Sequence, residues 1–319
     1  SHVAGHTPPQ VFSRPLVLYP DRFVLATPYS YQAPTLQGWR EVQERVRVVF
    51  TCAGIEHVQD VQPKPHDGFR VGYIGTVDAC KLHPDFLRLS TAARIPNVQF
   101  VVCGGDRHRE LRDMAARLGI GDRFHFLGPV RDVREQLASF DVFGYPLHRQ
   151  HYGTGEQVLI EAMAAGVPPV VLGPGAESHV VHHEVDGLVL KDLDEYGPAL
   201  ENLWRDGDRR RQLGDNARRT ARREYTIERT ASAWRGIWDE VLARPKRTRL
   251  WAGRRQGPHV SAAHLFCESL GEHASDFLRS LRDDERRRGA EARIAQLPYL
   301  FRTPTRGTPF HYRRFFPAD

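Results

Sequence analysis

From Phe69 onward the chain alternates short apolar runs with longer stretches whose apolar residues recur at helical spacing. Arg70-Val-Gly-Tyr-Ile74, Val98-Gln-Phe-Val-Val102, Phe124-His-Phe126, Val142-Phe-Gly-Tyr145 and Pro169-Val-Val-Leu172 are short, apolar and flanked by turn residues. Each predicts a strand, and Gly187-Leu-Val-Leu190 predicts one more. Between them Pro84–Ala93, Arg107–Leu118, Val130–Ser139 and Glu156–Ala165 predict helices, and three further helices follow over 192–206, 208–223 and 226–243. Nearly continuous apolar strands belong to parallel sheets covered on both faces. Regular strand–helix alternation through short loops builds such a sheet, so the expected class is α/β with a doubly wound, Rossmann-like parallel sheet. Ligands of these sheets bind outside the carboxyl ends of the strands.

The flanks lack this rhythm. Residues 1–62 are rich in proline and aromatics, with Arg47-Val-Val-Phe50 as a strand candidate, and Gln62-Pro-Lys-Pro-His-Asp-Gly68 reads as linker. Beyond Arg244-Pro245 the composition shifts again. Residues 275–296 read as a charged amphipathic helix with Phe277, Leu278, Leu281 and Ile294 toward its apolar side. The expected division is therefore an N-terminal segment over 1–62, a Rossmann-like domain over 63–244 and a C-terminal extension over 245–319. The tail from Arg302 interleaves Arg313-Arg314 with Phe310, Tyr312, Phe315 and Phe316. Such tails most often pack on their own domain or on a partner subunit. The alternatives are an anionic membrane surface or a stacked single strand.

With 319 residues, 40% hydrophobic and 26% charged, the chain has the composition of an ordinary globular protein. No apolar run reaches the roughly 18 residues of a membrane-spanning helix. The opening Ser-His-Val-Ala-Gly-His-Thr-Pro-Pro lacks the apolar core of a signal peptide. Cys52, Cys80, Cys103 and Cys267 form no CxxC pair and are expected reduced, which together with the missing leader suggests a cytoplasmic protein, with peripheral membrane attachment as the alternative. A net charge of +6 favours anionic partners. Arginine clusters such as Arg209-Arg210-Arg211 fall on polar helix faces, where solvation explains them better than nucleic acid does. His148, His151, His179, His182 and His183 crowd together in sequence without a convincing ligand spacing, so no metal is expected.

Candidate chemistry concentrates in Tyr152-Gly-Thr-Gly-Glu-Gln-Val-Leu-Ile-Glu161. Gly153 and Gly155 allow a ligand to approach the backbone, and Thr154 with Gln157 has capping-box spacing. Free amides and the helix dipole at such a start attract an anion, most naturally phosphate. Glu161, deeper in the helix, can accept hydrogen bonds from sugar hydroxyls, although an ordinary strand–loop–helix junction has the same look.

Glu161-Ala-Met-Ala-Ala-Gly166-Val-Pro168 resembles the signature of glycosyltransferase family 4, of the GT-B fold. The resemblance implies that Glu161 binds the ribose of a nucleotide-sugar donor. The signature's first glutamate would fall at Gly153, and Glu156 is the nearby carboxylate that could stand in for it. Gly75-Thr-Val-Asp-Ala-Cys-Lys81 is similar to the family's Gly-Arg-Leu-x-x-x-Lys-Gly, whose Arg and Lys hold the donor diphosphate. Lys81 keeps its place, while Thr76 replaces the arginine and Leu82 the last glycine. Gly104 and Gly105 end the second strand, as a ligand-facing pair or a plain tight turn. Phe126-Leu-Gly-Pro-Val130 resembles the family loop beside the base. Ala53-Gly-Ile-Glu56 is similar to the Asn-Gly-Ile-Asp that closes the family's N-terminal acceptor domain. Residues 1–62 are too few for that domain, so a truncated or reduced acceptor half, or one supplied by a partner subunit, is expected.

The function so implied is a retaining, metal-independent glycosyltransferase using a nucleotide-diphosphate sugar and an unidentified acceptor, without a cofactor. Its catalytic residues would be Lys81, Glu161 and Glu156, with Gly75, Thr76, Gly104, Gly105, Val130, Gly153, Thr154 and Gly155 around the donor. The alternatives are a non-catalytic or partner-dependent donor-binding module and a basic surface-binding protein.

Overall fold

The computed structural model describes residues 17, 19–32, 36, 40–50, 54–77, 81–105, 108–148, 155–246, 275 and 278–279. It divides into two units, one formed by Ser1–Leu25, Ser30–Val48 and Trp234–Asp319, the other by Ala26–Tyr29 and Val49–Ala233. The amphipathic helix expected over 275–296, apart from those three positions, and the aromatic tail lie outside the described residues, as do Cys52, Cys80 and Cys267.

In the first unit, β1 (Phe23–Leu25) and β2 (Val46–Val48) pair in parallel, with α1 (Arg40–Arg45) leading directly into β2. Val17, Phe23, Leu25, Leu36, Val42 and Val46 form its small core. The strand expected at Arg47–Phe50 starts one residue earlier and stops at Val48. β1 and α1 were not anticipated, being too short to show a periodicity.

The second unit carries the regular pattern. Its strands are β3 (Phe69–Ile74), β4 (Val98–Cys103), β5 (Phe124–Gly128), β6 (Val142–Tyr145), β7 (Pro169–Leu172) and β8 (Leu188–Leu190). All pair in parallel in the order β5-β4-β3-β6-β7-β8. The helices are α2 (Phe86–Thr91), α3 (His108–Arg117), α4 (Val133–Leu137), α5 (Gln157–Ala164), α6 (Tyr196–Arg205), α7 (Gly207–Glu224) and α8 (Ile227–Leu242), the last passing into the first unit at Trp234. Sequence order runs outward from β3 on one side and from β6 on the other. The direction of winding therefore switches between these two strands, and a ligand crevice is expected at their carboxyl ends.

β6 and β7 are buried at every position, which is why they read as unbroken apolar runs. Phe100, Phe124 and Phe126 stack in succession across β4 and β5. Helix α5, with Leu159, Ile160, Ala162, Met163 and Ala164 buried, closes against α7. A Cβ on Gly214 would meet the Gly166 carbonyl at 2.3 Å, and the Arg218 guanidinium donates to the Ala165 carbonyl at 2.7 Å. Glycine and arginine thus let two helices touch while satisfying the buried end of α5.

Two of the boundary differences from the sequence reading have a direct physical cause. The main segment of this unit, Val49–Ala233, starts before residue 63 because Ile55, Val58 and Val61 bury themselves in the sheet's core, and it stops short of residue 244. Helix α4 is shorter than Val130–Ser139 because Asp132 caps it, its carboxylate accepting from the Arg134 amide at 2.9 Å.

Candidate functional site

Lys81 is placed by backbone. Beyond β3 and β6 the two outgoing loops run side by side, with Leu82 bridging Leu147 in antiparallel fashion. The His148 amide donates to the Lys81 carbonyl at 2.8 Å and the His83 amide to the Pro146 carbonyl at 3.0 Å. This pairing holds the lysine over the switch point. Its ammonium lies 5.4 Å from the centre of the Tyr145 ring and 3.8 Å from Glu156 Oε2.

Glu156 is the N-cap residue of α5 and has a left-handed backbone, φ 37° and ψ 39°. For a residue with a Cβ this conformation costs about 1–3 kcal/mol and persists only when its surroundings impose it. The carboxylate is 1% exposed, and neither oxygen has a hydrogen-bond partner. The Tyr145 hydroxyl is likewise buried, close to this carboxylate. Its phenol is pushed well above the usual range by burial first and by the Glu156 carboxylate second. The helix start differs from the sequence reading, since Glu156 is the N-cap residue, Gln157 is the first helical residue and the Gln157 side-chain amide turns to Gly54 and Glu161. Thr154 and Gly153 lie outside the described residues, and Gly155 is half-buried beside Glu156.

Glu161 follows on the same helix, its side chain 13% exposed. The Gln157 amide donates to Glu161 Oε1 and to the Gly54 carbonyl, each at 3.2 Å. His57 Nε2 stands 3.4 Å from the same carboxylate oxygen. The segment 54–57 therefore borders Glu161, which local sequence could not reveal because the two lie far apart along the chain.

The glycines of the β3 and β4 loops answer to one another. Gly104 has φ +108°, and a Cβ there would sit 2.3 Å from the Gly75 carbonyl oxygen. At Gly105, φ +68°, a Cβ would lie 2.2 Å from the Val77 amide nitrogen. The Gly75 amide donates to the Cys103 carbonyl at 3.0 Å, and Gly104 donates to Gly128 at 2.6 Å. The glycine pair thus serves contact between loops. Thr76 offers its carbonyl to the Tyr73 hydroxyl at 2.8 Å, and half-buried Val130 packs on the core.

Glu177 was not foreseen. It lies on the short 3-10 turn Ala176–His179 after β7 and is 2% exposed. Its carboxylate occupies the space a Cβ on Gly175 would need, at 2.5 Å. Its charge adds to burial in raising the Tyr29 and Tyr145 phenols. Its burial is what the sequence does not reveal. Burial lowers the His179 pKa, with Glu177 opposing. Among the described residues no three His, Cys, Asp or Glu side chains gather as metal ligands.

The switch point of this doubly wound sheet thus carries a buried carboxylate, Glu156, with the Lys81 cation beside it, and the helix that starts there bears a second, partly exposed carboxylate, Glu161. The family follows from comparison. The chain matches the model for glycosyl transferases group 1 over residues 55–220 and belongs to that family. It is 30% identical over 202 residues to the D-inositol 3-phosphate glycosyltransferase of Salinispora tropica, covering 58% of this chain and 41% of that protein. To the N-acetyl-alpha-D-glucosaminyl L-malate synthase of Bacillus anthracis it is 29% identical over 144 residues, 44% of this chain and 37% of the relative. The chain therefore spans about four tenths of the length of such relatives.

Solved structures share the fold. The Anabaena protein Alr3699/HepE in complex with UDP-glucose superposes with a TM-score of 0.62 at 19% identity, covering 76% of this chain and 71% of that one. WaaG, a glycosyltransferase involved in lipopolysaccharide biosynthesis, gives 0.53 at 18% identity over 69% of this chain and 62% of that one.

Proposed function

We propose that the chain binds a nucleotide-diphosphate sugar at the carboxyl ends of β3 and β6 and donates its sugar to an acceptor. The observation that carries this reading is the Lys81–Glu156 pair at the switch point, with Glu161 on the helix that starts there, in a chain that belongs to the glycosyl transferases group 1. Glu161, exposed enough to be reached and oriented by Gln157, holds the ribose hydroxyls. Lys81 faces the diphosphate and stabilises the charge that builds on it as the sugar leaves. Val130 and the loop around it border the base. Glu156 stands in for the glutamate that the family signature would place at Gly153, and takes up sugar hydroxyls.

The transfer proposed is retaining and needs no metal, with Lys81 doing what a cation would do. UDP is the first nucleotide to try, since the structural neighbour Alr3699/HepE was solved with UDP-glucose. Calorimetric titration with UDP, GDP, ADP and dTDP and their hexose esters tests the reading. One base should be preferred, and Lys81→Ala should weaken that ligand by about tenfold, the worth of a charge-assisted contact. Equal indifference to all of them, or unchanged affinity in Lys81→Ala, contradicts it.

A further inference from the structure

The two features that attract a phosphate here both have a carboxylate beside them. Lys81, 15% exposed, faces the Glu156 carboxylate at 3.8 Å, and the same carboxylate belongs to the N-cap residue of α5, where the helix dipole favours negative charge. Glu177 adds a second buried carboxylate whose field reaches Tyr145. Yet both Glu156 oxygens lack a hydrogen-bond donor in a space where such atoms are rarely left bare. A neutral donor group, such as a sugar hydroxyl, would satisfy them. An additional negative charge would not.

We infer that Glu156 makes the site discriminate between nucleotide sugar and nucleoside diphosphate, accepting hydroxyls from the first and repelling the second. This rests on the donor-site reading above. In the transfer, the bond between the anomeric carbon and the β-phosphate oxygen breaks and its electron pair stays on that oxygen. The anomeric carbon bonds to the acceptor's hydroxyl oxygen, whose proton goes to solvent. The nucleotide left behind has lost its hydroxyl-bearing sugar and gained a negative charge on the phosphate nearest Glu156. Glu156 is thus a specificity-determining residue that favours entry of donor and exit of product.

The test compares affinities of UDP with UDP-glucose, and in the same way GDP with GDP-mannose, ADP with ADP-glucose and dTDP with dTDP-glucose, for the unmodified chain and for Glu156→Gln. Glutamine keeps the shape and an acceptor oxygen while removing the charge. The unmodified chain should bind the nucleotide sugar more tightly than its diphosphate. Glu156→Gln should strengthen diphosphate binding by about tenfold, with a smaller change for the sugar ester, as expected for removing one charge within several ångströms of a partly screened anion. A ratio unmoved by Glu156→Gln, with both ligands still bound and still dependent on Glu161, overturns this inference and spares the donor site. Absence of binding by any of the ligands overturns both. Should Glu156→Gln fail to fold in thermal melts, the order of affinities in the unmodified chain decides, and tighter binding of the diphosphate overturns the inference.

Discussion

Glu161 and Glu156 lie on one helix yet face different surroundings, and their substitutions should separate accordingly. Glu161 is partly exposed and held by Gln157 and His57, so its free lone pairs suit a ligand that arrives from solvent. Glu161→Ala should weaken nucleotide and nucleotide sugar alike, by about 10- to 100-fold if a charged acceptor of ribose hydroxyls is lost. Isothermal titration reads this, and an equal affinity in the variant would remove Glu161 from the site. Glu156 combines a left-handed backbone with an uncompensated buried carboxylate. Glycine there relieves both, so Glu156→Gly should raise the melting temperature while reducing preference for the nucleotide sugar, a trade of function for stability. A lower melting temperature would show that the Lys81 ion pair outweighs the strain.

At the scale of elements, the loops after β3 and β4 depend on backbone contact. Gly104→Ala must clear a carbonyl oxygen 2.3 Å away at φ +108°, whereas Gly119→Ala at φ +68° meets nothing within 4 Å. The first should cost several times the roughly 1 kcal/mol expected for a left-handed alanine at the second, as judged by urea unfolding. Similar losses would mean that the loops separate without penalty. In the first unit Arg22 and Arg47 hold Glu240 between them, with Arg22 Nε at 2.9 Å from Oε2 and Arg47 Nη2 at 2.9 Å from Oε1. The Arg22 hydrogen bonds, chiefly, lower the Glu240 carboxyl from 4.5 to about 2. A lowered folded-state pKa contributes stability above the unfolded value and loses it as pH falls toward the folded one. Stability should therefore decline between about pH 4.5 and 2, less steeply in Glu240→Gln. Parallel melts of the two proteins across that window check the sign.

The regular elements were legible because burial on both faces leaves an unmistakable apolar run in β4, β6 and β7. β1, β2 and α1 were hidden or blurred by their shortness, since three to six residues cannot display a period. Of the site, Lys81, Glu156 and Glu161 could be named from spacing. Glu177, Tyr145 and His57 could not, because separate strands and loops bring them in. The glycine pair at 104–105 was visible as a turn or ligand contact, and only the structure shows its partner to be the β3 loop.

At the scale of the whole molecule, the unit from Val49 to Ala233 contains the entire six-stranded sheet and every described candidate residue. A fragment of that span should unfold cooperatively in urea and keep nucleotide binding. Non-cooperative unfolding would show that the remaining segments are needed to complete its core. Among the described residues no helix is long and apolar enough to cross a membrane. A wide groove of about 1110 Å³ lies instead along β8, lined by Arg88, His183, Lys191, Asp194, Asn202 and Arg209. None of Lys81, Glu156 or Glu161 lines it, and its mixed charges offer no concentrated anion site. The size of a depression and the chemistry of a site point to different places, and the switch-point chemistry is the stronger guide. A crystal structure of the chain with the tightest-binding nucleoside diphosphate decides between them. Ribose hydroxyls on Glu161 and the diphosphate facing Lys81 are the predicted result, while a nucleotide lodged along β8, or one bound without touching Glu161, would contradict it.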